Sequence, residues 1–151
     1  FAQDQLVPLH AECGREASYL ENGVESTPPG FKAAYDQYTN EGWNGLNCEK
    51  EHGGDGLPKT ISGFIDEIWS SSNLSFKLFS ELTIGAYNCI YHNAKDEIRE
   101  LYLPKMARGD CGGTMCLTEE QCGTDLGLIK TLATPINEKT YSVQGPKIYI
   151  T

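Results

Sequence analysis

The sequence is poor in basic residues. Its 151 residues include 12 lysines and arginines against 21 aspartates and glutamates, which gives a formal net charge of −9. The imbalance is concentrated in residues 1–58, where ten acidic residues stand against three basic ones. Because nucleic-acid binding needs clustered lysine and arginine side chains on the phosphates, this pattern argues against a nucleic-acid partner.

Long hydrophobic runs are also missing. No stretch of about 18 apolar residues is present, so we expect no membrane-spanning segment and no membrane partner. The chain begins at Phe1 without an initiator methionine or a charged-then-apolar leader, which indicates a processed or cut N-terminus. We therefore expect a cytoplasmic protein.

The six cysteines match no metal-binding pattern. Three of them form C-x4-C-x5-C, which is not a C-x2-C knuckle and has no histidine nearby, so we predict no metal site. Three disulfides with fifteen connectivities would require an oxidising compartment. Free, mostly buried thiols are the interpretation that fits a cytosolic protein. The cysteines are Cys13, Cys48, Cys89, Cys111, Cys116 and Cys122.

The composition is that of a globular chain. Hydrophobic residues make up 39% and charged residues 22%, so the low hydrophobicity and high charge of disordered chains are absent. A chain of this length can bury roughly 70% of its extended surface, in one domain or two small ones.

The first 110 residues have helical patterns. Residues 3–23 predict a short or interrupted helix, and residues 25–31 a linker. Residues 30–42 predict a helix whose apolar face carries Phe31, Ala34, Tyr35 and Tyr38. The glycine-rich segment 42–58 predicts an irregular loop. Pro58 is placed to start a helix whose apolar face carries Ile61, Phe64, Ile65, Ile68 and Trp69.

Two more helices are predicted after this one. Residues 74–91 are hydrophobic nearly all round, which predicts a helix in the middle of a bundle. The next helix would be capped by Asn93 and Asp96, bury Ile98, Leu101 and Tyr102, and bend or end at Pro104.

After Gly109 the pattern changes to short β-rich pieces. The segments "GGTMCLT", "GLIKTLATPI", "TYSVQ" and "PKIYIT" alternate with turn residues. The predicted fold class is α+β, an N-terminal helical bundle followed by the start of a β-sheet. Residues 147–151 predict a strand with no following turn, so we expect the sheet to be cut off.

Two segments in this order resemble the flavin-dependent acyl-CoA dehydrogenase family. They are "YLPKMARGDCGGTMCLTEEQCGTDLGLIKTLA" and, about twenty-five residues later, "GPKIYIT". Weaker matches lie in "GWNGLNCEKEHGGDGLP" and "NCIYHNAKDEIRELYLPKM", so the resemblance covers about residues 30–151. The segments "GWNGLN", "MCLTE" and "GTDLGLIKT" are most similar to sequences of the methylthiopropionyl-CoA dehydrogenase branch of this family.

The resemblance implies a domain organisation. Residues 1–29 would be an N-terminal helical extension and linker, and residues 30–110 the family's N-terminal helical domain. Residues 111–151 would be the first part of a β-barrel-like middle domain that is truncated here.

The resemblance also implies an FAD site on two segments. Its cofactor-binding residues would be Met115, Leu117, Thr118, Gly123, Thr124, Tyr149, Ile150 and Thr151. Thr124 would also contact the substrate. Taken without the resemblance, the first segment is an ordinary Asx-type turn and the second an alternating strand. Glu120 in the turn would repel a pyrophosphate unless it points to solvent.

The implied activity is α,β-dehydrogenation of acyl-CoA thioesters. The family's carboxylate base has no counterpart in these residues, so we name no catalytic residue and expect this chain by itself to be inactive. The implied partners are an acyl-CoA substrate, an electron acceptor such as an electron-transfer flavoprotein, and further copies of the full-length protein. An acyl-CoA oxidase and a non-catalytic binding protein of the same fold remain alternatives.

Overall fold

The computed structural model describes residues 1–16 and 18–150, without the side chain of Cys13. The chain divides into two compact units, residues 1–113 and residues 114–151, which we describe separately. The first unit is helical with one small hairpin, and the second contains a two-stranded sheet. The α+β fold class, with helices first and strands after them, is therefore confirmed.

Five α-helices form most of the first unit. They are α1 (Val7–Arg15), α2 (Phe31–Asn40), α3 (Lys59–Ser72), α4 (Leu74–Asn93) and α5 (Asp96–Arg108). A π-helical turn at Ala2–Leu6 leads into α1, and strands β1 (Tyr19–Glu21) and β2 (Val24–Ser26) form a hairpin. Single 3-10 turns lie at Trp43–Gly45 and Lys50–His52 within the predicted irregular loop.

The β1–β2 hairpin was not predicted. Its two-residue turn is Asn22-Gly23, both with positive φ (53° and 78°), which is the signature of a tight hairpin turn. The Asn-Gly pair was the signal that could have found it. Pro8 does not interrupt the helix, because it lies in the first turn of α1, where its missing N–H costs nothing.

An aromatic core joins the N-terminus to α2, α3 and α4. The edge of the Phe1 ring meets Trp69 with ring centroids 5.4 Å apart. The predicted α2 face is confirmed, since Phe31, Ala34 and Tyr38 are buried. The buried members of this core are Leu6, Phe31, Ala34, Tyr38, Trp69 and Phe76.

The predicted buried face of α3 is largely wrong. Ile61, Phe64 and Ile68 are exposed, whereas Ser62 and Trp69 are buried. The helix is turned so that Trp69 enters the aromatic core and Ile65 packs against it, which leaves Ile61, Phe64 and Ile68 at the surface. The helix begins at Lys59 with Pro58 as its N-cap residue, close to the predicted start.

Helix α4 packs against both α3 and α5, as expected of a central helix. Its buried side chains are more polar than predicted and include Lys77, Ser80 and Thr83. The Lys77 ammonium lies 2.7 Å from the Asp66 carboxylate, so an ion pair links α4 to α3.

The predicted buried face and the predicted N-cap of α5 are wrong. Ile98, Leu101 and Tyr102 are exposed, whereas Leu103, Met106 and Ala107 are buried in a second core with Cys48 and Tyr87. Lys95 is the N-cap residue, and the Asn93 side chain instead donates to the Cys89 carbonyl in α4. Pro104 lies inside the helix, which continues to Arg108.

The glycine-rich loop is fixed to this second core. The Asn44 amide donates to the Met106 carbonyl at 2.6 Å. The Tyr87 hydroxyl accepts from the Glu49 N–H (2.9 Å) and lies 2.7 Å from His52 Nδ1. Burial raises the pKa of the Tyr87 hydroxyl to about 12, so the hydroxyl keeps its proton and can donate it to His52. A Cβ at Gly54 would overlap the Cys48 carbonyl, which explains a glycine there.

The second unit contains strands β3 (Leu132–Pro135) and β4 (Tyr141–Gln144), paired antiparallel with Leu132 opposite Gln144. The strands predicted in "GGTMCLT" and "PKIYIT" are not formed. Residues 112–118 and 145–148 carry no regular secondary structure, and a single backbone bond, from Ile148 N–H to Thr118 C=O, links them. One hydrogen bond does not form a β-ladder, so the strand-like composition of these two segments is not sufficient to make them strands.

Two sequence expectations concern the chain as a whole. No helix within residues 1–16 and 18–150 has both the length and the apolar character needed to cross a bilayer. Five cysteines whose side chains are described are free thiols, of which Cys48 and Cys122 are buried and Cys89 and Cys116 exposed.

Candidate functional site

The predicted FAD residues that the structure describes all lie in the second unit, on two short segments. Met115 and Leu117 precede the turn at residues 119–125 and expose apolar side chains. Gly123 and Thr124 lie in the turn and are exposed. Tyr149 and Ile150 lie near the end of the chain, and Thr151 falls outside the described residues.

The two segments are brought together at residues 117–118 and 147–148. The Ile148 N–H donates to the Thr118 carbonyl at 3.1 Å. The Lys147 ammonium donates to the Leu117 carbonyl at 3.0 Å. Residues about thirty positions apart are therefore direct neighbours.

Tyr149 does not continue an extended strand. Its φ is +55°, in the left-handed region that is uncommon for residues other than glycine, asparagine and aspartate. The chain bends at this residue, and the side chain is 90% exposed. The phenol ring therefore lies at the surface of this unit, and the next residue, Ile150, is also exposed.

The most buried side chain at the junction is an acid, Glu119. Its Oε1 accepts from the Thr131 N–H (3.0 Å) and the Lys147 ammonium (2.9 Å). Its Oε2 accepts from the Lys130 N–H (2.8 Å) and the Gln121 side-chain amide (2.6 Å). The carboxylate thus has four hydrogen-bond donors, which is the compensation that a buried charge requires.

These contacts stabilise the ionised form of Glu119. The Thr131 side chain, the Lys130 amide and the Lys147 ammonium, in decreasing order, hold the pKa of this carboxyl well below its usual range. The Thr131 hydroxyl lowers this pKa without a well-formed hydrogen bond, because its oxygen has no hydrogen-bond partner among the described residues. The direct contacts to the carboxylate are therefore the two backbone amides, Gln121 and Lys147.

The turn after Glu119 is closed by main-chain and side-chain bonds. Glu119 and Cys122 form an isolated antiparallel bridge, and the buried Cys122 thiol donates to the Asp125 carbonyl at 3.0 Å. The Asp125 carboxylate accepts from the Gly127 N–H, as in an Asx turn, and caps a 3-10 turn at Leu126–Leu128. The Asx-type turn considered from the sequence is therefore present.

The turn leaves Gly123 and its neighbour accessible. A Cβ added at Gly123 would meet no described atom within 4 Å, and Thr124 is exposed. Glu120 is also exposed, while Gln121 folds back onto Glu119. The acidic residue expected to repel a pyrophosphate thus lies at the surface, and the buried one is compensated by Lys147.

The sequence reasoning missed the roles of Glu119 and Lys147. In the sequence, Glu119 ends the segment "MCLTE" and Lys147 begins the predicted strand 147–151, and neither pattern indicates an ion pair. A signal existed, because an acid inside an apolar segment needs a cation or several N–H donors once it is buried. The sequence does not say which of the twelve basic residues supplies that cation.

The candidate site is a surface of apolar, hydroxyl and main-chain groups built around a compensated carboxylate. Within residues 1–16 and 18–150, no group of three or more histidine, cysteine, aspartate or glutamate side chains is arranged to hold a metal ion.

A family comparison matches most of the chain. The model of the acyl-CoA dehydrogenase N-terminal domain matches residues 1–110. That range includes all five helices and ends just before the second unit.

Comparison with individual proteins extends over the whole chain. It is 40% identical over 151 residues to the 3-methylmercaptopropionyl-CoA dehydrogenase of Ruegeria pomeroyi, covering 100% of this chain and 26% of that protein. It is 36% identical over 153 residues to a butyryl-CoA dehydrogenase of Syntrophomonas wolfei, covering 99% of this chain and 25% of that protein. The chain thus spans about a quarter of the length of these relatives.

The fold is also found among solved structures. Glutaryl-CoA dehydrogenase from Mycobacterium smegmatis superposes with a TM-score of 0.79 at 20% identity, over 99% of this chain and 36% of that one. This likeness concerns the fold.

Proposed function

Since the chain belongs to the acyl-CoA dehydrogenase family, we propose that it is part of a flavin-dependent enzyme that introduces an α,β double bond into acyl-CoA thioesters. The observation that carries the proposal is the junction of residues 117–118 with residues 147–148. It gathers the two predicted flavin-contacting segments into one small unit. The proposed FAD residues are Met115, Leu117, Thr118, Gly123, Thr124, Tyr149, Ile150 and Thr151.

The residues of the second unit fit a flavin on three grounds. Met115, Leu117 and Ile150 expose apolar side chains that a tricyclic ring would cover. The Tyr149 ring is free to stack on an aromatic surface. The absence of a Cβ at Gly123, with open space around it, allows a phosphate close to the main chain.

The chemistry divides between the cofactor and the protein. Bound FAD supplies the acceptor for the hydride that leaves the β-carbon of the thioester. Thr118 and Thr124 carry hydroxyl groups that can donate to and accept from a bound ligand. The apolar residues would exclude water from the ring face of a bound flavin, and no residue of this chain is assigned as the base that removes the α-proton.

We propose short acyl-CoA thioesters of the 3-methylmercaptopropionyl type as the first substrates to test. The 40% identity to the Ruegeria pomeroyi protein over all 151 residues supports this choice. We further propose an electron-transfer flavoprotein as electron acceptor, a cytoplasmic location and a homo-oligomer of the full-length protein. We also propose the division into residues 1–29, 30–110 and 111–151.

The experiment compares the full-length protein with the 151-residue chain. The purified full-length protein is expected to carry a yellow flavin that is released on denaturation and identified as FAD by mass. It should reduce an artificial dye with 3-methylmercaptopropionyl-CoA or butyryl-CoA, whereas the 151-residue chain should not. A full-length protein that binds no flavin when FAD is added would overturn the proposal.

The same assay distinguishes the dehydrogenase from an oxidase. A dehydrogenase should transfer electrons to the dye and produce little hydrogen peroxide in air. Peroxide formed in proportion to acyl-CoA consumed would instead identify an oxidase.

A further inference from the structure

We propose that Glu119 and Lys147 are positioning residues whose buried ion pair fixes the two flavin-contacting segments relative to each other. The proposal rests on the proposed function and assigns roles to two residues outside the predicted FAD set. Neither is expected to touch the cofactor. Their effect is to set the register between residues 115–118 and residues 148–150.

The Glu119 carboxylate is held too firmly to adjust. Its side chain is completely buried, and each oxygen accepts two hydrogen bonds, from Thr131 N–H and Lys147 on one side and from Lys130 N–H and Gln121 on the other. Rotation of the carboxylate would break at least two of these bonds. The group therefore acts as a fixed point to which residues 130–131 and 147 are attached.

Lys147 connects the Glu119 carboxylate to the second segment. Its ammonium bridges Glu119 Oε1 (2.9 Å) and the Leu117 carbonyl (3.0 Å) and is four-fifths buried. The next residue, Ile148, donates its N–H to the Thr118 carbonyl. Two consecutive residues are thus bonded to three consecutive ones, and the chain then bends at Tyr149.

The register between the segments would be poorly defined without the pair. A single backbone hydrogen bond can re-form after a slip of the chain, and a one-residue slip in an extended segment turns every side chain to the opposite face. A slip of residues 147–150 would separate Lys147 from Glu119 and leave a buried, uncompensated carboxylate. The ion pair therefore disfavours the alternatives that would turn the side chains of residues 147–150 to the opposite face.

The pair also removes a charge from the neighbourhood of an anionic ligand. An ionised Glu119 without Lys147 would repel a pyrophosphate near Thr118 and Gly123. With Lys147 at 2.9 Å, the two formal charges cancel locally. Glu120 lies at the surface and takes no part in the described contacts of this cluster, so it provides a matched control.

The test uses four variants of the full-length protein: Glu119→Gln, Lys147→Met, Lys147→Arg and Glu120→Gln. The dissociation constant for FAD is measured by quenching of flavin fluorescence, and the environment of the bound ring by visible circular dichroism. We expect Glu119→Gln and Lys147→Met to weaken FAD binding about tenfold or more and to change the dichroism, because each leaves one member of the buried pair uncompensated and releases the register of the two segments. Lys147→Arg should recover most of the affinity, and Glu120→Gln should match the wild type.

Each outcome decides one of the two proposals. A wild-type protein that does not bind FAD overturns the proposed function. A wild type that binds FAD, together with folded Glu119→Gln and Lys147→Met variants of unchanged affinity and dichroism, overturns the positioning role and leaves the function standing. If both variants fail to fold, the pair is a folding element and the positioning role is also overturned.

Discussion

The two units of this chain differ in what occupies their centres. In residues 1–113, aromatic and aliphatic side chains form two buried clusters around Phe76 and Tyr87. In residues 114–150, the two buried side chains are Glu119 and Cys122, and both strands are exposed along their length. The first unit is thus organised by hydrophobic burial and the second by a compensated charge.

Different forces stabilise the two units. Hydrophobic burial is non-directional and tolerates repacking, so the first unit should lose stability in proportion to the apolar atoms removed. Hydrogen bonds to a buried charge depend on geometry, so the second unit should respond abruptly to loss of that charge. The following five expectations test the contrast in the 151-residue chain, from the largest effect to the smallest.

Loss of the Glu119 charge should have the largest of the five effects. The pKa of Glu119 is lowered in the folded chain. A glutamate in an unfolded chain has a pKa of about 4.3. The carboxylate therefore contributes its full stabilisation above about 4.3, and this stabilisation is lost as the pH falls through the folded pKa. Lys147 is the charged group that faces it.

The amide signals of Lys130 and Thr131 in two-dimensional NMR report this directly. They should keep their folded positions from pH 7 to below about pH 4.3 and move to the positions of an unfolded chain only in stronger acid. In Glu119→Gln they should be missing from their folded positions at every pH, while Glu120→Gln should behave as the wild type. Folded amide positions in Glu119→Gln would show that the charge is not what organises this unit.

Truncation of Phe76 should be the largest single loss in the helical unit. Phe76 is fully buried among Phe31, Tyr38 and Phe1, and Phe76→Ala is expected to cost about 3–5 kcal/mol. Urea unfolding followed by helical circular dichroism measures the change. The matched control is Phe64→Ala, since Phe64 is 64% exposed and its removal should cost under about 1 kcal/mol.

Breaking the ion pair inside the helical unit should have an intermediate effect. Asp66→Asn leaves the Lys77 ammonium, with only 9% of its side chain exposed, without its partner. Uncompensated buried charges usually cost roughly 3–5 kcal/mol, and the half-exposed position of Asp66 reduces this to about 2 kcal/mol. Urea unfolding at neutral pH measures it.

The surface pair Lys32–Asp36 is the control for that experiment. Its charges are 2.6 Å apart, almost the same distance, but both side chains are more than half exposed. Asp36→Asn should therefore change the free energy of unfolding by less than about 0.5 kcal/mol. Equal losses for the two substitutions would show that burial does not set the strength of these pairs.

Removal of the Tyr87 hydroxyl should cost less. Tyr87→Phe keeps the ring in the second core but removes the acceptor for Glu49 N–H and the partner of His52, for about 1 kcal/mol. The exchange rate of the Glu49 amide should rise in the same variant. Tyr91→Phe, whose ring stacks on Tyr87, should leave that amide protected.

Substitution on the exposed strands should have the smallest effect. Leu132 in β3 is 65% exposed, so Leu132→Thr should change the stability of the second unit by less than about 0.5 kcal/mol. The folded amide positions of Lys130 and Thr131 again provide the readout. A loss comparable with that of Phe76→Ala would mean that the second unit depends on apolar burial after all.

The positions of the helices were predictable because hydrophobic periodicity and helix-breaking residues are features of neighbouring residues in the sequence. The start of α3 near Pro58 and the buried face of α2 follow directly from the residue pattern. The buried face of α5 did not, because the helix carries two apolar stripes. The choice between them depends on Asn44 and Gly45 of the glycine-rich loop, which pack against Met106 and Ala107 from sixty residues away.

The sequence proposes which residues belong to the candidate site, and the residue pattern does not encode how the described ones are held together. The resemblance named Thr118, Gly123 and Tyr149 as proposed cofactor residues, and the structure places them in one unit. The bond between the segments at Lys147 and the bend at Tyr149 are long-range and conformational features that alternating residues do not encode. Periodicity predicted a strand at residues 147–151, and the described part of this segment lacks the strand partners that would make it one.

The Glu119–Lys147 pair also closes a loop of the chain, much as a covalent cross-link would. The turn between β3 and β4 lies inside this loop, where the Lys139 N–H is held by the exposed Asn137 side chain. For a flexible loop, each doubling of length costs only about 0.6 kcal/mol of closure entropy. Residues 137–139 are therefore a place where a peptide tag or reporter can be inserted while the ends of the loop, and the residues beyond them, keep their register.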